Sequence, residues 1–81
     1  MSRKRSNLEI SAAILRVARY GARKSQIVYK ANLNFSIIKD YLHDLTSSGL
    51  LSASHQGTLY TTTEKGMAFL NYFEGMKQFT T

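Results

Sequence analysis

Apolar positions recur every three or four residues along most of this chain, and the pattern breaks at a few polar and glycine positions. Ile10, Ala13, Ile14 and Val17 share one face of a helix. Ahead of them, Ser6-Asn7-Leu8-Glu9 fits a capping box, with Ser6 accepting from the Glu9 amide and Glu9 reaching back to the Ser6 amide. This helix should run to about Tyr20 and stop at Gly21 as its C′ residue. Leu8 and Leu15 lie seven residues apart and off that face, a second small apolar patch. A shorter helix fits Lys24 to Ala31, with Ile27, Val28 and Ala31 inward. Asn32 tolerates the left-handed turn that a tight connection needs. Phe35, Ile38, Leu42 and Leu45 form the buried stripe of a third helix from Phe35 to Ser48, which Gly49 ends. Leu50-Leu51-Ser52-Ala53 and Thr58-Leu59-Tyr60-Thr61 then read as two short strands around the polar turn Ser54-His55-Gln56-Gly57. Thr62 or Thr63 caps a last helix from Glu64 to about Phe79. On its wheel Phe69, Leu70, Tyr72, Phe73 and Met76 cover about half the circumference, with Phe79 at one edge.

The order is helix, helix, helix, strand, strand, helix: a mainly α fold with a small β-hairpin. The Ala31–Asn34 connection is short enough for a helix-turn-helix, and the hairpin follows as a wing. Tyr29, Tyr41 and Tyr60 fall near apolar stripes, so they are expected in the core. Four segments carry a resemblance: Leu8-Glu9-Ile10, Val28-Tyr29-Lys30-Ala31-Asn32-Leu33, Tyr41-Leu42-x-x-Leu45-x-x-x-Gly49-Leu50-Leu51, and Tyr60-x-x-Thr63-Glu64-Lys65-Gly66. In these the chain resembles archaeal winged helix-turn-helix DNA-binding proteins, a group that includes small Sulfolobus chromatin proteins and regulators of crenarchaeal viruses and plasmids. The resemblance implies a winged-helix fold, double-stranded DNA as partner, and a role in regulating transcription or organising DNA. Two departures stand out. Thr62 occupies a position that is usually apolar in the family, and the last helix is shorter than the coiled coil of the chromatin proteins.

The 81 residues divide into a short basic arm, 1–5, expected to be flexible, and one domain, 6–79, whose helix at about 64–79 is the candidate dimerisation element. A chain this short buries only about 60% of its unfolded surface. There is no cysteine to staple it. The thin core and the wide apolar face suggest a homodimer built on Leu8, Leu15, Phe69, Leu70, Tyr72, Phe73 and Met76. No apolar run reaches the length of a membrane span, and no signal-peptide pattern follows Met1, so an intracellular, nucleoid-associated protein is expected. The net charge of +6 is unevenly placed. Residues 1–39 set nine basic side chains against Glu9 alone, a balance of +8, whereas residues 40–81 come to −2. One half suits a polyanion and the other does not.

In a helix-turn-helix the third helix enters the major groove. Its outward arc holds Ser36, Asp40, His43 and Ser47, with Lys39 and Asp44 beside them. Ser36 and Lys39 lie near the end that reaches base edges. The aspartates can accept from a cytosine amino group or offset local charge. Arg23, Lys24 and Ser25 open the second helix, where free amides favour phosphate, and Lys30, near the turn, could reach the same DNA strand. Arg3, Lys4 and Arg5 can follow a minor groove or form a plain tail. His55 at the wing tip is a backbone contact or simply solvated. His43 and His55 are the only histidines and have no cysteine or carboxylate cluster, so no metal is expected. No phosphate loop, catalytic triad or paired carboxylates occur, so neither a cofactor, a small-molecule ligand nor an enzymatic activity is expected. A protein-interaction module on the same fold, or an architectural protein without sequence preference, are the alternatives.

Overall fold

The computed structural model describes residues 6–54 and 56–80, the last four of these by backbone alone. Arg3, Lys4, Arg5 and His55, all expected DNA contacts, lie outside the described residues, as does the Phe79 side chain. The elements are α1 (Asn7–Val17), a single 3₁₀ turn (Ala18–Tyr20), α2 (Lys24–Lys30), α3 (Phe35–Ser47), β1 (Leu51–Ala53), β2 (Tyr60–Thr62) and α4 (Glu64–Thr80). This is the expected mainly α arrangement with one hairpin.

Local chemistry sets the helix ends. The capping box at α1 forms as expected: Ser6 Oγ accepts from the Glu9 amide at 3.1 Å, and the Ser6 amide donates to Glu9 Oε1 at 2.9 Å. α2 and α3 end in the same Schellman closure. After α2 the Leu33 amide donates to the Val28 carbonyl at 2.9 Å, with Asn32 left-handed at φ 57°. After α3 the Leu50 amide donates to the Leu45 carbonyl at 3.0 Å, with Gly49 at φ 82°. Each closure drops a leucine, Leu33 or Leu50, against the core.

α1 is the axis of the domain. Ile10, Ala12, Ala13, Ile14 and Leu15 are all buried, and α4, the 3₁₀ turn, α2 and β2 all pack against the helix. Leu15 is therefore 0% exposed and belongs to the core, which corrects its place in an outer patch and in a dimer interface. Leu70 on α4 is likewise 0% exposed and packs on its own domain rather than on a partner. Phe69 and Phe73 stack at 6.5 Å between centroids and lean on the same core, half-buried. Tyr72 and Met76, with Leu8 on α1, are what remains exposed of the expected apolar face.

The hairpin pairs Leu51 with Thr62 and Ala53 with Tyr60. It is shifted from the expected strands. Leu50 is taken by the α3 closure, and Ser54 Oγ accepts from the amides of Thr58 and Leu59, both at 3.2 Å, which lengthens the turn. Across the outer edge of β2, Ala22 and Tyr60 exchange two backbone hydrogen bonds of 2.8 Å. Thr62 is buried, and its hydroxyl donates to the Leu15 carbonyl at 2.6 Å. That bond explains how a polar residue occupies an apolar position.

α4 is bolted to the end of α3. Thr63 Oγ1 accepts from the Gly66 amide at 3.0 Å and donates to the Gly49 carbonyl at 2.6 Å. Lys65 Nζ donates to the Ser48 carbonyl at 3.0 Å. No described helix is long and apolar enough to cross a membrane.

Candidate nucleic-acid interface

Two adjoining grooves cover the face where α2, α3 and the hairpin meet. One, about 610 Å³, is lined by Arg23, Lys24, Ser25, Phe35, Gly57 and Thr58. The other, about 320 Å³, is lined by Lys24, Lys39, Leu42, His43, Thr46, Ala53 and Tyr60. Lys24 is common to both, so they form one continuous surface. Neither is lined by an acidic residue.

The grooves follow from the helix wheel of α3. Ile38, Leu42 and Leu45 anchor it in the core. Lys39, His43 and Thr46 then fall on the side facing the hairpin. Asp40 and Asp44 fall on the other side, in a groove of about 440 Å³ with Asn7, Leu8, Ser11, Tyr41 and Phe69. α3 thus carries its acidic and basic residues on different sides. Asp40 was expected beside Lys39 and His43 on one contact face; it lies instead in the groove towards α1 and α4, which Tyr41 also lines, its hydroxyl donating to Asn7 Oδ1 at 2.6 Å.

Of the other expected contacts, Ser36 and Lys30 are exposed but line neither basic groove. Ser25, Lys24 and Arg23 come together at the start of α2, as expected. The Arg23 amide there donates to Gln26 Oε1 at 2.9 Å, which closes the first turn of α2. Arg16 is removed from the basic surface by its ion pair with Glu74 at 2.7 Å, which ties α1 to α4. Arg19 is part-buried, its guanidinium 5.9 Å from the centre of the Tyr20 ring.

Sequence reasoning missed Phe35 and Tyr29. Phe35 was assigned to the buried stripe, but it is 62% exposed and stands on the basic face. The stripe begins one turn later. Leu33 and Ile38 occupy the N′ and N4 positions around the cap Asn34, the pattern of a hydrophobic staple, and both join the core. That spacing was the available signal. Tyr29, expected in the core, is 84% exposed because the Val28 side of α2 is the one turned inward. Thr46 and Thr58 also line the face and were not singled out. Among the described residues no group of His, Cys, Asp or Glu is placed to hold a metal ion.

A family model for winged helix-turn-helix proteins matches residues 4–81. Among solved structures, the chain is similar to Sso10a-2, a DNA-binding protein from Sulfolobus solfataricus. The two are 26% identical with a TM-score of 0.83, over 94% of this chain and 82% of that one. It also shares its fold with BpsR of Bordetella bronchiseptica, whose DNA binding is regulated by 6-hydroxynicotinic acid. There the identity is 18% and the TM-score 0.76, over 95% of this chain and 57% of BpsR. No curated protein matches the chain by sequence.

Proposed function

The chain belongs to the winged helix-turn-helix family, and from that premise we propose that it binds double-stranded DNA as a regulator of transcription. In this reading α3 enters the major groove and the hairpin rides on the adjacent backbone. The observation that carries it is the acid-free surface that joins Arg23 and Lys24 at the start of α2 to Lys39 and His43 of α3, beside the hairpin. Lys24 and Lys30 neutralise phosphates, while Ser36 and Lys39 reach base edges. Arg3, Lys4 and Arg5 add phosphate or minor-groove contacts. The aspartates on the far side of α3 repel misplaced backbone and so limit the faces on which DNA can settle. The similarity to a Sulfolobus DNA-binding protein supports the same partner. The role is binding, with no catalytic step.

The second part of the proposal is a homodimer formed through Tyr72, Met76 and Leu8, with the outer sides of Phe69 and Phe73. Two protomers would place two copies of α3 on one face of the duplex, with half-sites about 34–36 Å apart.

Salt dependence tests the DNA reading. If about six phosphates are neutralised, affinity for duplex DNA falls roughly a thousandfold between about 50 and 200 mM salt. Lys24→Ala should reduce the slope by about one, on every sequence alike. Absence of duplex binding at the low-salt end would overturn the proposal.

A further inference from the structure

Phe35 is an aromatic ring set among cations. It opens α3, is 62% exposed, and shares a groove with Arg23, Lys24 and Ser25 of α2 and Gly57 and Thr58 of the hairpin turn. The fold does not call for an aromatic there. The core takes Leu33, Ile37 and Ile38 from this segment, and Phe35 is not part of that cluster. Phenylalanine is also a weaker helix former than the residues commonly found in a first turn. A large apolar surface held beside charge, at the leading end of α3, suits a polyanion that offers an apolar spot between its phosphates.

Duplex DNA offers such a spot on its base edges in the major groove: the 5-methyl group of thymine. Resting on the DNA-binding reading above, we propose that Phe35 is a specificity-determining residue that recognises thymine through its 5-methyl group. Arg23 and Lys24 hold the flanking phosphates, which fixes the depth at which the ring meets the base edge. The surface therefore selects A·T-containing steps by an apolar contact, in addition to any hydrogen bonds from Lys39.

Replacing thymine by uracil removes that methyl and leaves charge and pairing intact. Binding of the full chain is measured by fluorescence anisotropy, at one salt concentration, to alternating A·T and A·U duplexes of equal length. The wild type should bind the thymine duplex about fourfold more tightly per engaged protomer, the factor for taking one methyl group out of water. Phe35→Ala should bind the thymine duplex as weakly as the uracil one, with an unchanged salt slope. Phe35→Leu should keep part of the difference. Because the ring is exposed, melting curves of both variants should match the wild type. Equal wild-type affinity for the two duplexes overturns the inference, as does a Phe35→Ala protein that still separates them. Equal weakening of both duplexes by Phe35→Ala also overturns it, and would mark the ring as a wedge between bases. No binding to either duplex removes the DNA reading itself.

Discussion

A methyl group added at Gly66 would lie 2.1 Å from the Leu50 carbonyl oxygen and 2.7 Å from Thr62 Cγ2. The first obstacle is backbone, and that same oxygen already accepts the Thr63 amide at 3.1 Å. It cannot swing aside. Gly66→Ala should therefore destabilise the domain at the upper end of the about 1–3 kcal/mol typical of overpacking. Urea unfolding should show a lower midpoint with an unchanged slope. Thr62 makes the opposite kind of test. Thr62→Val keeps the shape and removes the donor, leaving the Leu15 carbonyl buried without that hydroxyl. The expected loss is about 1–3 kcal/mol, read by the same unfolding curve. An unchanged midpoint would mean that the hydroxyl merely replaces a methyl. The motif containing Gly66 was recognisable in the sequence, but the reason for glycine was not, since the partner atom lies on another element.

Helix ends were the most legible elements. Ser6, Asn32 and Gly49 each act locally, on atoms within a few residues, so spacing alone revealed them, whereas α1 closes at Ala18 and Gly21 ends the 3₁₀ turn that follows. The strands were displaced because their limits depend on side-chain bonds from Ser54 and on the closure of α3. The outer faces of α1 and α4 were misjudged for a related reason. A wheel describes one helix, whereas burial of Leu15 and Leu70 depends on how many neighbours surround it. Of the candidate interface, the basic start of α2 and Lys39 were legible; the sorting of aspartates to the far side needed the orientation of α3. The α1–α4 contact allows two effects to be ranked. Arg16 and Glu74 keep 45% and 38% of their side-chain surface in water, so Glu74→Ala should cost well under about 1 kcal/mol. Leu70→Ala should cost about 2–5 kcal/mol. Thermal melting of the two variants decides the order, and equal shifts would show that the ion pair holds more than screening permits.

For the whole molecule, the exposed side of α4 bears on how many copies act together. Tyr72 is 75% exposed and Met76 47%, so a charge at Tyr72 tests association without disturbing the core. Phe73→Glu would not separate the two, because Phe73 also packs within its own domain. If the protein is dimeric, Tyr72→Glu should sediment as a monomer at micromolar concentration, melt as a folded domain, and bind duplex DNA less tightly through lost avidity. A wild type already monomeric at that concentration would end the dimer proposal. The bridge between Ala22 and Tyr60 matters at this scale too. Its two bonds are made by main chain alone, so they ask nothing of the side chains at either position. The weld sits at Tyr60, whose partner Ala53 is the last of β1 before the turn, so it holds the hairpin at the turn end of the ladder. Residues inserted after Gln56 would disturb the Ser54 turn but not the weld, and each doubling of loop length adds only about 0.6 kcal/mol of closure entropy. The same frame can thus carry tips of different length, as a tool handle accepts different bits.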